Sequence, residues 1–157
     1  MKKLIVLFIF GLTSLFSASS LYKDSTDIVL DGKPTMLIFT TQTCPYCDVF
    51  KKDLHENKEL NEMAKKMNIH IIPRDQYKEY TMWGETTNLK TLEMNFAIKA
   101  TPNVIIFDKT GRKIWQVPGY ADPKIMIPYL KFVEALDAGT MQITDWRKYL
   151  QDAGIIK

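Results

Sequence analysis

Two residues in this 157-residue chain stand out for chemistry, the thiols of Cys44 and Cys47 in the run Cys44-Pro45-Tyr46-Cys47. They are the chain's two cysteines, too few for a small domain whose bridges replace a core and the right number for one redox couple. Two thiols three residues apart are close enough to close a disulfide and to reopen it by exchange, in which one thiolate attacks a partner's disulfide and the other resolves the mixed disulfide. The same spacing is half of a soft-metal site for zinc or copper, and two inert thiols or a static bridge form the plainer alternative. Nitrogen ligands for a metal are limited to His55 and His70, neither at close metal-motif spacing from the cysteines, and each reads as a surface or helix-end residue.

Which chemistry applies depends on the elements that carry the pair. Residues 35–41 (TMLIFTT) form a continuous β-branched and aromatic run after Pro34, the pattern of a strand buried on both faces. Residues 45–55 place Val49, Phe50 and Leu54 at helical spacing, and Pro45 is tolerated where its missing N–H has no partner to lose. Cys44 therefore falls where a strand ends and a helix begins. Unpaired N–H groups and a partial positive charge there stabilise a thiolate, so Cys44 is the expected nucleophile and Cys47, one turn on, the resolving thiol.

The remainder reads as an α/β domain. Residues 28–30 suggest a short strand, 58–67 a helix, 69–72 a strand closed by Pro73, and 89–98 a helix. Residues 76–88, with Tyr77, Tyr80 and Trp83, have no clear period; the aromatics suit either core packing or a partner-binding rim. Residues 103–108 and 112–117 flank a short turn and predict an antiparallel hairpin. Residues 123–136 are helical, and 144–152 form a last short helix with Thr144 as its cap candidate. The methionines, Met63 and Met67 among them, read as core filler.

At the start, Lys2 and Lys3 precede an apolar stretch at 4–16 and small residues at 17–20, the pattern of a cleavable signal peptide over residues 1–19. The alternative is an uncleaved N-terminal membrane anchor. Either puts the domain at 20–157 outside the cytoplasm, in a compartment where paired thiols oxidise. The full chain carries 21 basic and 18 acidic residues; without Lys2 and Lys3 it carries 19 and 18, a net charge of +1. With no Lys/Arg cluster, this balance gives no support for nucleic-acid binding. Hydrophobic residues at 46% and charged residues at 25% fit one globular domain and exclude a disordered or multi-span chain.

The segments KPTMLIFTTQTCPYC and IKATPNVIIFDKTGRKIWQVPGY resemble the active-site strand and the cis-proline hairpin of thioredoxin-fold proteins. The likeness runs over about residues 32–133. It is closer to exported bacterial thioredoxins of the SoxW-like group, which share the Gly-Lys-Pro lead-in, the Cys-Pro-Tyr-Cys site and a Pro-Gly-Tyr after the hairpin. The resemblance implies a thioredoxin-like α/β fold, a mixed central sheet flanked by helices with a short C-terminal helical extension. It implies that Thr101-Pro102 is cis, faces the cysteines and, with Gly119, receives an extended partner segment by strand addition. No cofactor is implied. The expected partners are exported protein disulfides, with c-type cytochrome precursors or sulfur-oxidation carriers as clients. A membrane thiol-electron donor of the DsbD/CcdA type would recharge the pair. Net reduction of periplasmic partners is the expected direction, with disulfide oxidation or isomerisation second. Two positions depart from thioredoxins proper: Ile38 stands where they carry a buried acid, and Thr43 where they carry Trp.

Overall fold

The computed structural model describes residues 20–157 apart from Asp24 and Tyr77, so the expected signal segment lies outside the described residues. The central sheet contains five strands. β1 (Tyr22–Lys23), β3 (Thr35–Thr40), β4 (Asn68–Pro73), β7 (Asn103–Phe107) and β8 (Lys113–Pro118) lie in the order β1-β4-β3-β7-β8. β3 pairs in parallel with β4 and antiparallel with β7, and β7 and β8 form the expected hairpin. The sheet is therefore mixed, as the sequence predicts.

β3 occupies the middle because every one of its six side chains tolerates burial. Met36 and Ile38 point to a layer built from α1 (Pro45–Glu56), α2 (Lys58–Ala64) and α4 (Pro123–Asp137), where they meet Phe50, Leu54, Met63 and Leu130. Leu37 and Phe39 face the opposite layer with Ile105, Phe107, Leu92 and Tyr80. Strand alternation thus splits one apolar run between two cores. Asn57 separates α1 from α2: its N–H donates to Asp53 O while its side chain accepts from Leu60 N, ending one helix and starting the next.

The segment 76–88 is not irregular. It forms β5 (Glu79–Met82) and β6 (Glu85–Asn88), which pair antiparallel and join β2 (Asp27–Ile28) in a second sheet of order β2-β5-β6. The two-residue turn has φ of 55° at Trp83 and 86° at Gly84, the paired left-handed geometry that matches strand twist in a tight hairpin. Trp83 packs edge-on against Phe107, and Tyr80 is buried, so both serve the core rather than a rim; Tyr77 lies outside the described residues.

Several boundaries differ from expectation. α3 (Leu89–Asn95) stops short because Ala97 takes φ of 50° and Ile98 N–H donates back to Glu93 O, a left-handed helix stop made without glycine. The C-terminal helix, α5 (Trp146–Asp152), follows a 3₁₀ turn at Ile143–Asp145. Thr144 is not its cap; the Asp145 carboxylate accepts from Gln142 N–H at that entry. Trp146 packs on Trp115 and Tyr149 on Phe132, docking the extension against β8 and α4. Among the methionines, Met36, Met63, Met67 and Met126 are buried, whereas Met94 is exposed and fills no core. No helix among the described residues is long and apolar enough to cross a membrane.

Candidate active site

Cys44 stands between β3 and α1 as the helix N-cap, and Cys47 lies in the first turn. The two are joined in a disulfide with their Cα atoms 5.3 Å apart. Cys47 N–H points at Cys44 Sγ, 3.2 Å away, and also reaches Cys44 O at 3.0 Å. The helix thus directs a backbone donor at the sulfur expected to carry charge once the bond is reduced. Cys44 is 6% exposed and Cys47 1%, so the N-cap sulfur is the more accessible of the two. In this form neither sulfur is free to ligate a metal. Among the described residues no group of three or more His, Cys, Asp or Glu side chains converges on a metal position.

Between the cysteines, Pro45 occupies the first helical turn and is exposed, and Tyr46 is 63% exposed. The Thr101-Pro102 peptide bond is cis. Its loop is tied into the site twice. Thr101 Oγ1 lies 3.4 Å from Thr41 Oγ1, three residues before Cys44, and Pro102 O accepts from Gly119 N–H at 2.8 Å. Among the described residues no backbone hydrogen bond engages Thr101, which leaves its N–H and C=O open to an incoming strand. Gly119 has φ of 89°, a conformation glycine adopts without strain, and the space beside its Cα is empty. The structure therefore brings Cys44, Cys47, Thr101, Pro102 and Gly119 into one neighbourhood.

Three further residues join the site, of which the sequence marks only Tyr120, as the last residue of the Pro-Gly-Tyr run. Asp75, in the turn after β4, accepts from Gln42 N–H at 2.6 Å and steadies the approach to Cys44. Tyr120 stacks on Tyr46 with ring centroids 5.9 Å apart and planes 23° from parallel, and its hydroxyl donates to Asp53 Oδ2. That hydrogen bond to a carboxylate, followed by burial, pushes the Tyr120 pKa up to about 12.

Neither histidine is near this chemistry. His55 is exposed in the last turn of α1, as expected for a helix-end residue. His70 is not a surface residue: it is buried in β4, where its Nδ1 sits 3.2 Å from Ser25 O, and burial lowers its pKa. The carbonyl partner requires Nδ1 to carry the proton. Ile38 is fully buried between Ile71 and Val104 on the neighbouring strands, which confirms that no acid occupies this core position.

These features agree with the comparisons to known proteins. The model of the thioredoxin-like domain matches residues 21–134. Among solved structures, a thioredoxin-fold protein from Helicobacter pylori is similar at 26% identity and a TM-score of 0.72, covering 85% of this chain and 89% of its own. A thioredoxin from Thermus thermophilus shares the fold at 15% identity and a TM-score of 0.54, covering 69% of this chain and 79% of its own. No curated protein matches the chain. With a family match over most of its length, a disulfide whose first cysteine caps α1 and a cis Thr101-Pro102 bond, the chain belongs to the thioredoxin-like domain family.

Proposed function

We propose that the protein is an exported thiol–disulfide oxidoreductase that reduces disulfides of protein partners in the periplasm. The observation that carries this reading is the Cys44–Cys47 disulfide at the N-terminus of α1, beside the unengaged backbone of Thr101 and the cis Pro102. In the dithiol form, Cys44 thiolate attacks one sulfur of a partner disulfide. A mixed disulfide forms and the partner's other sulfur leaves as a thiolate. Cys47 thiolate then attacks Cys44 Sγ, releasing the partner as a dithiol and leaving the protein with the Cys44–Cys47 bond seen here. The partner chain lies along Thr101 by strand addition during both steps. With Ile38 in place of an acid, the Cys47 proton leaves to water or to the departing partner sulfur.

Reduction as the net direction is supported by the Gly32-Lys33-Pro34, Cys44–Cys47 and Pro118-Gly119-Tyr120 segments shared with SoxW-like exported thioredoxins. It requires a membrane thiol-electron donor of the DsbD/CcdA type to regenerate the dithiol. Export is supported by the charge and apolar pattern of residues 1–19.

The test is a Cys47→Ser variant expressed in cells and run on non-reducing gels. It is expected to accumulate mixed disulfides with exported proteins, all lost when Cys44 is also replaced by Ser. Absence of such adducts would overturn partner exchange. Thiol alkylation of the wild type in cells is expected to show mostly dithiol, and a mostly oxidised resting pair would overturn the reductive direction.

A further inference from the structure

Three side chains next to the disulfide form a chain of contacts that the exchange chemistry does not itself require. Tyr46 lies between the two cysteines and is 63% exposed, yet its ring does not extend alone into solvent. Tyr120, from the loop between β8 and α4, lies against it at 5.9 Å and 23°. Tyr120 is in turn fixed by its hydroxyl, which donates to Asp53 Oδ2, two turns further along α1 from Tyr46. The residue before it, Gly119, donates to Pro102 O, so the same loop also holds the cis-proline turn. Tyr46 and Asp53 are seven residues apart and share one face of α1, and Tyr120 spans that face between them.

We propose that Tyr120 is a positioning residue for disulfide exchange with protein partners: held by Asp53, it fixes the exposed ring of Tyr46 at the edge of the Cys44–Cys47 bond, where a partner chain must dock. An unheld Tyr46 rotates among several side-chain wells, and ordering it costs free energy each time a partner binds. A ring already stacked on Tyr120 is ordered before the partner arrives. Two offset aromatic faces anchored by a charge-assisted hydrogen bond are suited to this task, because the anchor fixes both position and tilt of the supporting ring. The Gly119–Pro102 hydrogen bond makes the arrangement reach both sides of the approach, so the Tyr46 ring and the Thr101 backbone keep a fixed relation.

This inference rests on the oxidoreductase reading and is tested separately from it. Reduced wild-type protein is mixed with insulin, whose disulfides lie in a folded protein, and with 5,5′-dithiobis(2-nitrobenzoic acid), a small disulfide with no polypeptide to dock. Second-order rate constants are then compared. Tyr120→Ala is expected to lower the insulin rate by about three- to tenfold and to lower it several-fold more than the rate with the small disulfide. Tyr120→Phe, which keeps the ring but loses the bond to Asp53, should fall between the wild type and Tyr120→Ala with insulin, and a Phe variant as fast as the wild type would overturn the part assigned to Asp53. Tyr46→Ala combined with Tyr120→Ala should cost little more than either alone, since each removes the same arrangement. Equal losses with both substrates, or additive losses in the double variant, would overturn the positioning role while leaving the oxidoreductase reading intact. A wild type inactive toward both substrates would overturn both.

Discussion

Thr41 and Thr101 face each other with their hydroxyl oxygens 3.4 Å apart, joining the end of β3 to the cis-proline loop across sixty residues of chain. Thr41 is three residues from the attacking cysteine and Thr101 carries the backbone that a partner strand would pair with. The contact therefore sets the spacing between the sulfur and the docking edge. Replacing either threonine by Val should cost about 1 kcal/mol of stability, and the two losses together should be less than additive. Urea unfolding of both single variants and the double variant checks this. Each variant should also reduce insulin more slowly than the wild type.

Asp108 closes the β7–β8 turn. Its burial alone would raise the carboxyl pKa, but hydrogen bonds from the Thr110 hydroxyl, the Arg112 and Thr110 backbone N–H groups and the Arg112 guanidinium outweigh that effect and hold it below the usual carboxylate range. A carboxyl depressed in the folded state stabilises the protein above its unfolded pKa of about 3.9, and this contribution is lost as pH falls through the folded value. Asp108→Asn should lower stability at pH 7 by about 1–3 kcal/mol and flatten the acid limb of the stability curve. Denaturant unfolding between pH 7 and pH 3 measures both effects.

His70 acts in the same pH sense from a different cause. Burial in β4 disfavours its charged form, so the unfolded chain takes up a proton at this site before the folded one does. Stability is then constant above the unfolded pKa of about 6.5 and declines as pH falls below it. The Ser25 carbonyl at Nδ1 only partly offsets the burial. A His70→Gln variant should lose the pH dependence between about pH 7 and pH 5 that unfolding shows for the wild type.

Ile38 marks the departure from thioredoxins that carry an acid at this position. Fully buried against Ile71 and Val104, it offers a carboxylate no partner there. Ile38→Asp should raise the new carboxyl's pKa by desolvation, so the variant gains stability as pH falls toward the unfolded Asp value and loses it as pH rises. At neutral pH it should be destabilised by several kcal/mol. Unfolding at pH 5 and pH 8 checks the sign.

How far the fold was legible follows from the range of the forces involved. β3 and α1 were readable because an apolar run and a 3.6-residue period are local, and those two elements alone locate Cys44 and Cys47. The β5–β6 hairpin was not readable, because its turn places Trp83 at a left-handed position where Asn or Gly would have signalled it; packing against Phe107 holds that residue there. Ala97 conceals the end of α3 in the same way, whereas Gly139 marks the left-handed stop after α4 openly. β1 has two residues and exists only through its pairing with β4, so no periodicity announces it, whereas the strand expected at 28–30 meets the observed β2 (Asp27–Ile28) only at Ile28, because it is pairing with β5 that sets the bounds of β2. His70 reads as polar and belongs at the surface by type, yet a single carbonyl from Ser25 is enough to hold it inside. Within the site, the cysteines and Thr101-Pro102 lie in short recognisable runs. Asp53 and Asp75 do not, and the Pro-Gly-Tyr run that ends at Tyr120 does not announce its contacts, since these roles depend on contacts between residues more than thirty positions apart.

The central claim is that the Cys44–Cys47 couple exchanges disulfides with proteins, and insulin reduction in the presence of dithiothreitol tests it most directly. The protein lacking residues 1–19 should accelerate precipitation of the insulin B chain, with Cys44→Ser inactive and Cys47→Ser strongly slowed because its mixed disulfide is resolved only by dithiothreitol. A wild-type protein that leaves the uncatalysed rate unchanged would contradict the account.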